Sequence, residues 1–118
     1  ARYDLSSMKS AIHAAAPCPV PVKAAMIDWW GPVLLEYYAG SEGNGMTYVN
    51  SHDWLTHPGT VGRPILGTVH IMGEDNETEL PVGQEGGVFF ESDQSFEYHG
   101  DPEKTKSSRN SKGWSTLG

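Results

Sequence analysis

The sequence predicts an α/β protein (α+β overall), in which a parallel strand–helix–strand unit is followed by a small antiparallel β layer. The first observation is an apolar helical segment bracketed by Pro21 and Gly31, the favoured arrangement of helix ends, between two short apolar runs. The second is a change near Val61 to short β-rich runs separated by polar turns. We therefore expect residues 1–60 and 61–118 to form two structural parts.

The first part contains three predicted elements. Residues 8–13 are expected to form a short strand that ends at the small residues 14–17. A helix is expected over 20–30, and a buried strand over 33–38, where apolar and aromatic residues follow a Gly-Pro pair. We expect the packed face of the helix, including both tryptophans as core residues, to comprise Val22, Ala25, Met26, Trp29 and Trp30.

The second part is predicted to be mainly β structure. Strands are expected over 65–72 and 87–91, with a polar turn over 73–79. Asp101 followed by Pro102 is a favourable helix start. The Asp side chain can accept a hydrogen bond from a backbone N–H of the first turn, and proline at the first position lacks only an N–H that would have no partner within the helix. This last helix is expected to end near Asn110.

Composition excludes several classes of function. The chain of 118 residues has a net charge of -7 and no basic stripe, so nucleic acid is not an expected partner. Its apolar runs are shorter than the roughly 20 residues needed to cross a bilayer. The single cysteine, Cys18, excludes an internal disulfide and is interpreted as a small spacer, which favours a cytoplasmic setting.

A metal site built from histidine is not expected. No histidine pairs with a cysteine, or with another histidine at the spacing of a helical zinc motif. The histidines are His13, His52, His57, His70 and His99.

A loop rich in small residues follows the second predicted strand. The segment 38–42 (YAGSE) combines an aromatic ring, two small residues, a hydroxyl and a carboxylate. Such a loop, at the carboxyl end of a strand, could stack a base, approach a phosphate closely and hold the Mg²⁺ that accompanies ATP. A plain surface turn is the commoner interpretation of this composition, and the residues alone leave both open.

The wider segment 36–45 (EYYAGSEGNG) resembles the adenylate-binding motif of the adenylate-forming enzymes, which include acyl-CoA synthetases, firefly luciferase and peptide-synthetase adenylation domains. The segment 13–17 (HAAAP) resembles the small-residue strand end of that family, although Ala14 stands where many relatives have glycine. Later segments continue the resemblance in the same order and cover essentially the whole chain: 62–64 (GRP), 80–86 (LPVGQEG), 98–105 (YHGDPEKT) and 113–118 (GWSTLG). The style of these segments is most similar to bacterial long-chain-fatty-acid CoA ligases.

The resemblance implies a role for each residue of the motif. Ser41 and Glu42 would be the catalytic residues, Ser41 bonding the α-phosphate and Glu42 holding Mg²⁺. Tyr37 and Tyr38 would lie on one face of the adenine. The other nucleotide-binding residues would be Ala15, Ala16, Pro17, Ala39 and Gly40, and the acid substrate would lie near Ala39, Gly40 and Gly43.

The implied parent enzyme uses ATP to convert a carboxylic acid, expected to be a fatty acid, to an acyl-adenylate and then to acyl-CoA, with AMP and pyrophosphate released. Its cofactors and substrates would be ATP, Mg²⁺ and coenzyme A. The chain does not begin with Met and lacks the family's phosphate loop, ribose-binding Asp and C-terminal domain. We therefore expect an inactive internal fragment, cut before the hinge, of an enzyme that is cytoplasmic or peripheral to a membrane.

Two alternatives stay open at this point. The chain could be a stand-alone β-rich binding module. The parent could instead activate an aromatic, bile-acid or carnitine-like acid. As a fragment, it would expose apolar surface and could self-associate.

Overall fold

The structure is a computed structural model that describes residues 3–118. The described chain divides into two compact units. The first extends up to Tyr38 and includes Thr47–Arg63, whereas the second comprises Ala39–Met46 and Pro64–Gly118. The division after Arg63 lies close to the change in sequence character near Val61, but residues 39–46 group with the second unit.

The first unit is built on a parallel strand–helix–strand arrangement, as the sequence predicts. Strand β1 (Ala11–His13) pairs in parallel with β2 (Leu34–Ala39), and helix α1 (Val20–Trp30) connects them. The register places His13 opposite Glu36. Strand β1 is shorter than the predicted 8–13, because the Met8 N–H donates to the Leu5 carbonyl in a turn.

Helix α1 has the predicted bounds but packs through a different face. Lys23 and Ile27 are buried, whereas Val22 and Trp29 are each 50% exposed, so the predicted role of Trp29 as a core residue is wrong. Lys23 is buried because it pairs with an acidic side chain on the inner face of β2, and Ile27 lies one turn further along the same side. Of the predicted face, Ala25 is also exposed, and two residues that are partly buried pack against the core, Met26 and Trp30.

Two elements of the first unit were not predicted. Strand β3 (Met46–Val49) leads into helix α2 (Ser51–Thr56), which Asn50 caps by accepting a hydrogen bond from the Asp53 N–H at 2.8 Å. Trp54 of α2 is 2% exposed and completes the core of this unit. The core consists of Ile27, Leu34, Val49 and Trp54.

The strands run in the order β1-β2-β3-β4 in one sheet, whose last strand, β4 (Arg63–Leu66), continues into the second unit. The prediction of one strand over 65–72 is wrong. Gly67, with φ +73°, separates β4 from β5 (Thr68–Met72). A positive φ is incompatible with a continuous strand, and glycine adopts it without strain.

The second unit contains the predicted antiparallel layer. Strand β5 pairs with β6 (Gly87–Glu91) in an antiparallel two-stranded sheet, with Val69 opposite Phe90. Met72, Phe89 and Phe90 are almost fully buried and form its apolar centre.

The last helix begins as predicted and ends early. Helix α3 (Pro102–Ser107) is capped by the Asp101 side chain, which accepts from the Lys104 N–H at 2.9 Å. It stops before Asn110 because the chain reverses there, with the Asn110 N–H donating to the Trp114 carbonyl and the Asn110 side chain accepting from two backbone N–H groups of the turn.

We predict that Gly45→Ala destabilises the protein by about 1–3 kcal/mol, because a Cβ at this position would overlap the Phe90 ring in the second unit. The free energy of unfolding from denaturant titration is the measurement. Gly73→Ala is the matched control, since its Cβ would meet no atom nearer than 3.5 Å. Equal stability of the two variants would contradict this packing.

We also predict an acidic pKa for Asp75 in the turn after β5. Hydrogen bonds from the Thr78 hydroxyl and N–H and from the Glu77 N–H lower the pKa of Asp75 from 3.8 to about 2. These bonds therefore contribute stability above about pH 4, and the contribution is lost as the pH falls towards 2. Carboxyl-carbon NMR titration should show this pKa, and Thr78→Val should raise it; a wild-type pKa near 4 would be the contrary result.

Candidate nucleotide site

Two neighbouring strands of the first unit end at the predicted adenine-binding segments. Strands β1 and β2 are parallel, and His13 lies opposite Glu36. The residues that follow His13 and those that follow Glu36 therefore lie at the same edge of the sheet. Adjacent strands lie about 4.8 Å apart. The structure thus brings the segment 15–17 and the pair Tyr37–Tyr38 to neighbouring strand ends.

The segment 15–17 has an unusual backbone. Ala15 has φ +73°, the left-handed region that residues with a Cβ rarely occupy. All three residues, Ala15, Ala16 and Pro17, are exposed. An exposed stretch of small residues with one strained backbone angle lets another molecule approach the main chain closely.

The two tyrosines at the end of β2 differ in exposure. Tyr37 is 37% exposed, whereas Tyr38 is half-buried, and burial raises the pKa of the Tyr38 phenol. Tyr38 thus places a partly buried aromatic ring near the end of β2, where a ring can stack on another planar group.

Residues 39–46 of the second unit form a tight loop. The Gly43 N–H donates to the Gly40 carbonyl at 3.1 Å, which closes a turn around Ser41 and Glu42. Ser41 and Gly43 are exposed, while Ala39 is partly buried. The loop therefore presents the Ser41 hydroxyl to solvent.

Glu42 is held from within the second unit. The Tyr98 hydroxyl donates a hydrogen bond to Glu42 Oε1 at 2.9 Å. This bond, followed by partial burial, raises the pKa of Tyr98. The Lys104 ammonium lies 4.0 Å from the centre of the Tyr98 ring, and the Phe96 ring meets it edge-on. Sequence reasoning placed 98–105 in the family pattern but assigned Tyr98 no role.

The far end of the loop is anchored to strand β6. Asn44 is fully buried and donates through Nδ2 to the Ser115 hydroxyl at 3.0 Å and to the Ser115 carbonyl at 3.3 Å. Ser115 in turn exchanges backbone hydrogen bonds with Phe90, against which Gly45 packs. The loop conformation thus depends on the β layer of the second unit.

Glu42 suits a Mg²⁺ ion bound together with nucleotide phosphates. Proteins commonly hold such an ion through one or two carboxylates, with phosphate oxygens and water as the other ligands. Only Oε1 of Glu42 accepts the Tyr98 hydrogen bond, so the carboxylate retains acceptor capacity at Oε2. Within residues 3–118, no group of three or more His, Cys, Asp or Glu side chains is arranged to hold a metal ion. An ion at Glu42 would therefore need phosphate oxygens and water as its other ligands.

The sequence analysis also did not predict a cluster of charged and titratable side chains in the first unit. Lys23 and Glu36 form an ion pair, and Glu36 Oε1 lies 3.4 Å from His13 Nδ1. The alternation of side chains along a strand could have predicted this cluster. It places Glu36 on the same inner face of β2 as Leu34, and a buried carboxylate needs a cation beside it.

The family model for AMP-binding enzymes matches residues 1–98 of this chain. The chain belongs to the AMP-binding enzyme family. Its fold agrees with this membership: the chain superimposes on the amide bond synthetase McbA from Marinactinospora thermotolerans with a TM-score of 0.78 and 29% identity, over 99% of this chain and 24% of that one.

ATP-bound MatB from Rhodopseudomonas palustris gives a TM-score of 0.76 at 29% identity, over 91% of this chain and 22% of that chain. Curated relatives include a long-chain-fatty-acid–CoA ligase of Bacillus subtilis strain 168, 34% identical over 72% of this chain, and one of Escherichia coli O6:H1, 32% identical over 65%. The chain spans 15% and 14% of the length of these two relatives. The predicted adenylate-forming fold is thereby confirmed.

In the described part of this AMP-binding chain, no helix is both long and apolar enough to cross a membrane.

We predict that Glu42→Gln lowers the pKa of Tyr98 towards 10, because the charged acceptor is the main cause of its elevation. In the wild type the bond persists while Tyr98 is protonated, so its contribution is complete below pH 10 and is lost as the pH rises through the elevated pKa. NMR titration of ¹³Cζ-labelled tyrosine is the measurement. The matched variant Glu97→Gln removes a neighbouring exposed carboxylate. If it lowered the pKa of Tyr98 as much as Glu42→Gln does, Glu42 would not be the main cause of the raised pKa.

Proposed function

We propose that this chain is part of an ATP-dependent acid–thiol ligase that converts a fatty acid to its CoA thioester through an acyl-adenylate. The observation that supports it most is the combination of family membership with parallel strands β1 and β2, which end at 15–17 and at Tyr37–Tyr38. The fatty-acid substrate rests on the names of the curated relatives.

In this proposal the residues of the first unit bind the base. The small segment 15–17 covers one face of the adenine, and Tyr38 stacks on the other, with Tyr37 beside it. Aromatic stacking on a base contributes about 1–3 kcal/mol. The partly buried ring of Tyr38 is consistent with this role.

The loop of the second unit acts on the phosphates. Ser41 donates its hydroxyl to the α-phosphate, and Glu42 holds the ion that accompanies ATP. When bound, Mg²⁺ neutralises charge on the phosphate oxygens. Tyr98 keeps the Glu42 carboxylate in place through its hydrogen bond. The acid would lie near Ala39, Gly40 and Gly43; the space beside Gly43 is open, whereas Gly40 packs against the side chains of Glu42 and Leu117.

The carboxylate of the substrate attacks the α-phosphorus, pyrophosphate leaves, and the CoA thiol then displaces AMP from the acyl-adenylate. The chain contributes positioning and hydrogen bonds rather than a covalent nucleophile. We further propose that residues 1–60 belong to the adenylate-binding subdomain and 61–118 to the smaller β subdomain. Because the chain spans about a seventh of its curated relatives, we expect no turnover from it alone. The cytoplasmic setting stays a prediction.

A second candidate is acyl transfer to an amine instead of to CoA. It is favoured by the likeness to an amide bond synthetase over 99% of this chain. Both candidates share the adenylation step and differ only in the acceptor. Product analysis of the complete protein with an adenylated acid, offered CoA or a panel of amines, distinguishes them.

We predict that the complete protein containing this chain catalyses exchange between ATP and labelled pyrophosphate only when a suitable carboxylic acid is present. Ser41→Ala and Glu42→Gln should each reduce this exchange by about 10²–10³-fold, the range for removing one group that stabilises transition-state charge.

The control variants Ser95→Ala and Glu74→Gln make the same chemical changes at exposed positions outside the loop. They should exchange at the wild-type rate. Absence of exchange with fatty, aromatic and other acids alike would contradict the proposed reaction, and full activity of Ser41→Ala would contradict the role of that residue.

A further inference from the structure

Lys23 and Glu36 form a salt bridge in the interior of the first unit. Their exposures are 1% and 8%, and the Lys23 ammonium also lies 4.8 Å from the centre of the Trp54 ring. Removing two charges from water is costly, and apolar pairs of similar volume are often as stable or more stable. Stability alone is therefore a weak reason for this pair.

The position of the pair in the chain indicates a different reason. Glu36 lies on β2 two positions before Tyr38. Its Oε2 atom pairs with Lys23, near the start of α1, and its Oε1 atom lies 3.4 Å from Nδ1 of His13, the last residue of β1. That ring nitrogen is buried and makes no hydrogen bond within residues 3–118, so the backbone pairing of β1 with β2, and not the Glu36 side chain, holds His13 in place.

His13 and Lys23 flank the segment 14–19, which contains the strained Ala15. One end of this segment is held by strand pairing at His13, and the other by the ion pair between Lys23 and Glu36, so both ends are attached to β2, the strand that carries Tyr38. Few other restraints act on the segment itself, since 15–17 is exposed and includes no helix or strand.

We infer that Glu36 is a positioning residue: by binding Lys23 it holds the start of α1, and with it the small-residue segment 14–17, in place relative to Tyr38, and so sets the affinity for the nucleotide base. The inference rests on the proposed nucleotide site. Glu36 itself touches neither the base nor the phosphates in this account.

The double variant K23M/E36L separates positioning from stability. It replaces both charges by apolar groups of similar size, and we expect its unfolding midpoint to stay close to that of the wild type. We expect lower backbone ¹⁵N order parameters at residues 14–16, because the segment has lost the ion pair that holds its helical end. In the complete protein we expect the KM for ATP to rise about tenfold, with kcat at saturating ATP changed less than about threefold.

Two further variants keep the test decisive. The double variant K23M/E36Q preserves the shape of the Glu36 side chain without leaving a buried, unpaired ammonium at position 23. It should show the same changes in order parameters and KM, and it replaces K23M/E36L if that variant fails to fold. Ile27→Val lowers stability through the same core without touching the charges. It should leave both the order parameters at residues 14–16 and the KM for ATP unchanged.

Unchanged order parameters at residues 14–16 in the double variant would overturn the inference, since Glu36 would then not hold the segment. Lower order parameters with an unchanged KM for ATP would overturn its link to nucleotide affinity. A wild-type protein that neither binds AMP nor exchanges pyrophosphate would instead refute the proposed function, while the order parameters would still decide whether Glu36 holds the segment.

Discussion

The parallel pairing of β1 with β2 is the constraint on which the candidate site depends. Parallel strands need a crossover connection, and here α1 supplies it, so the short segment between β1 and α1 must leave the sheet beside the end of β2. The register pairs Ala11 with Leu34 and His13 with Glu36. A shift of β2 by one residue would turn Glu36 away from Lys23 and would move Tyr38, which shares its face of the strand, to the opposite face of the sheet.

The loop that continues from β2 depends on a different set of contacts. Its polar end is fixed by the fully buried Asn44 and its carboxylate by Tyr98, and both contacts lie within the second unit. Neither contact involves Ser41, whose side chain therefore stays available for the proposed hydrogen bond to a phosphate.

The sequence predicted the elements whose signals are local. Pro21 and Gly31 bracket α1, Asp101 and Pro102 start α3, and apolar runs mark β2 and β6. The sequence-based predictions were wrong or incomplete where tertiary contacts determine the structure. The buried face of α1 is set by the pairing of Lys23 with Glu36 rather than by the apolar pattern. Strand β3 and helix α2 lie in a polar stretch and were not predicted, because Asn50 was not recognised as a helix cap. The motif residues came from resemblance, which says which residues recur but not that Tyr98 binds Glu42.

The central claim is that the segment 15–17 and Tyr38 enclose an adenine ring. A crystal structure of the complete protein bound to AMP tests it most directly. The account predicts the adenine between the Ala15–Pro17 backbone and the Tyr38 ring, with the α-phosphate beside Ser41. An adenine bound elsewhere, with the Tyr38 ring in contact only with protein, would contradict it.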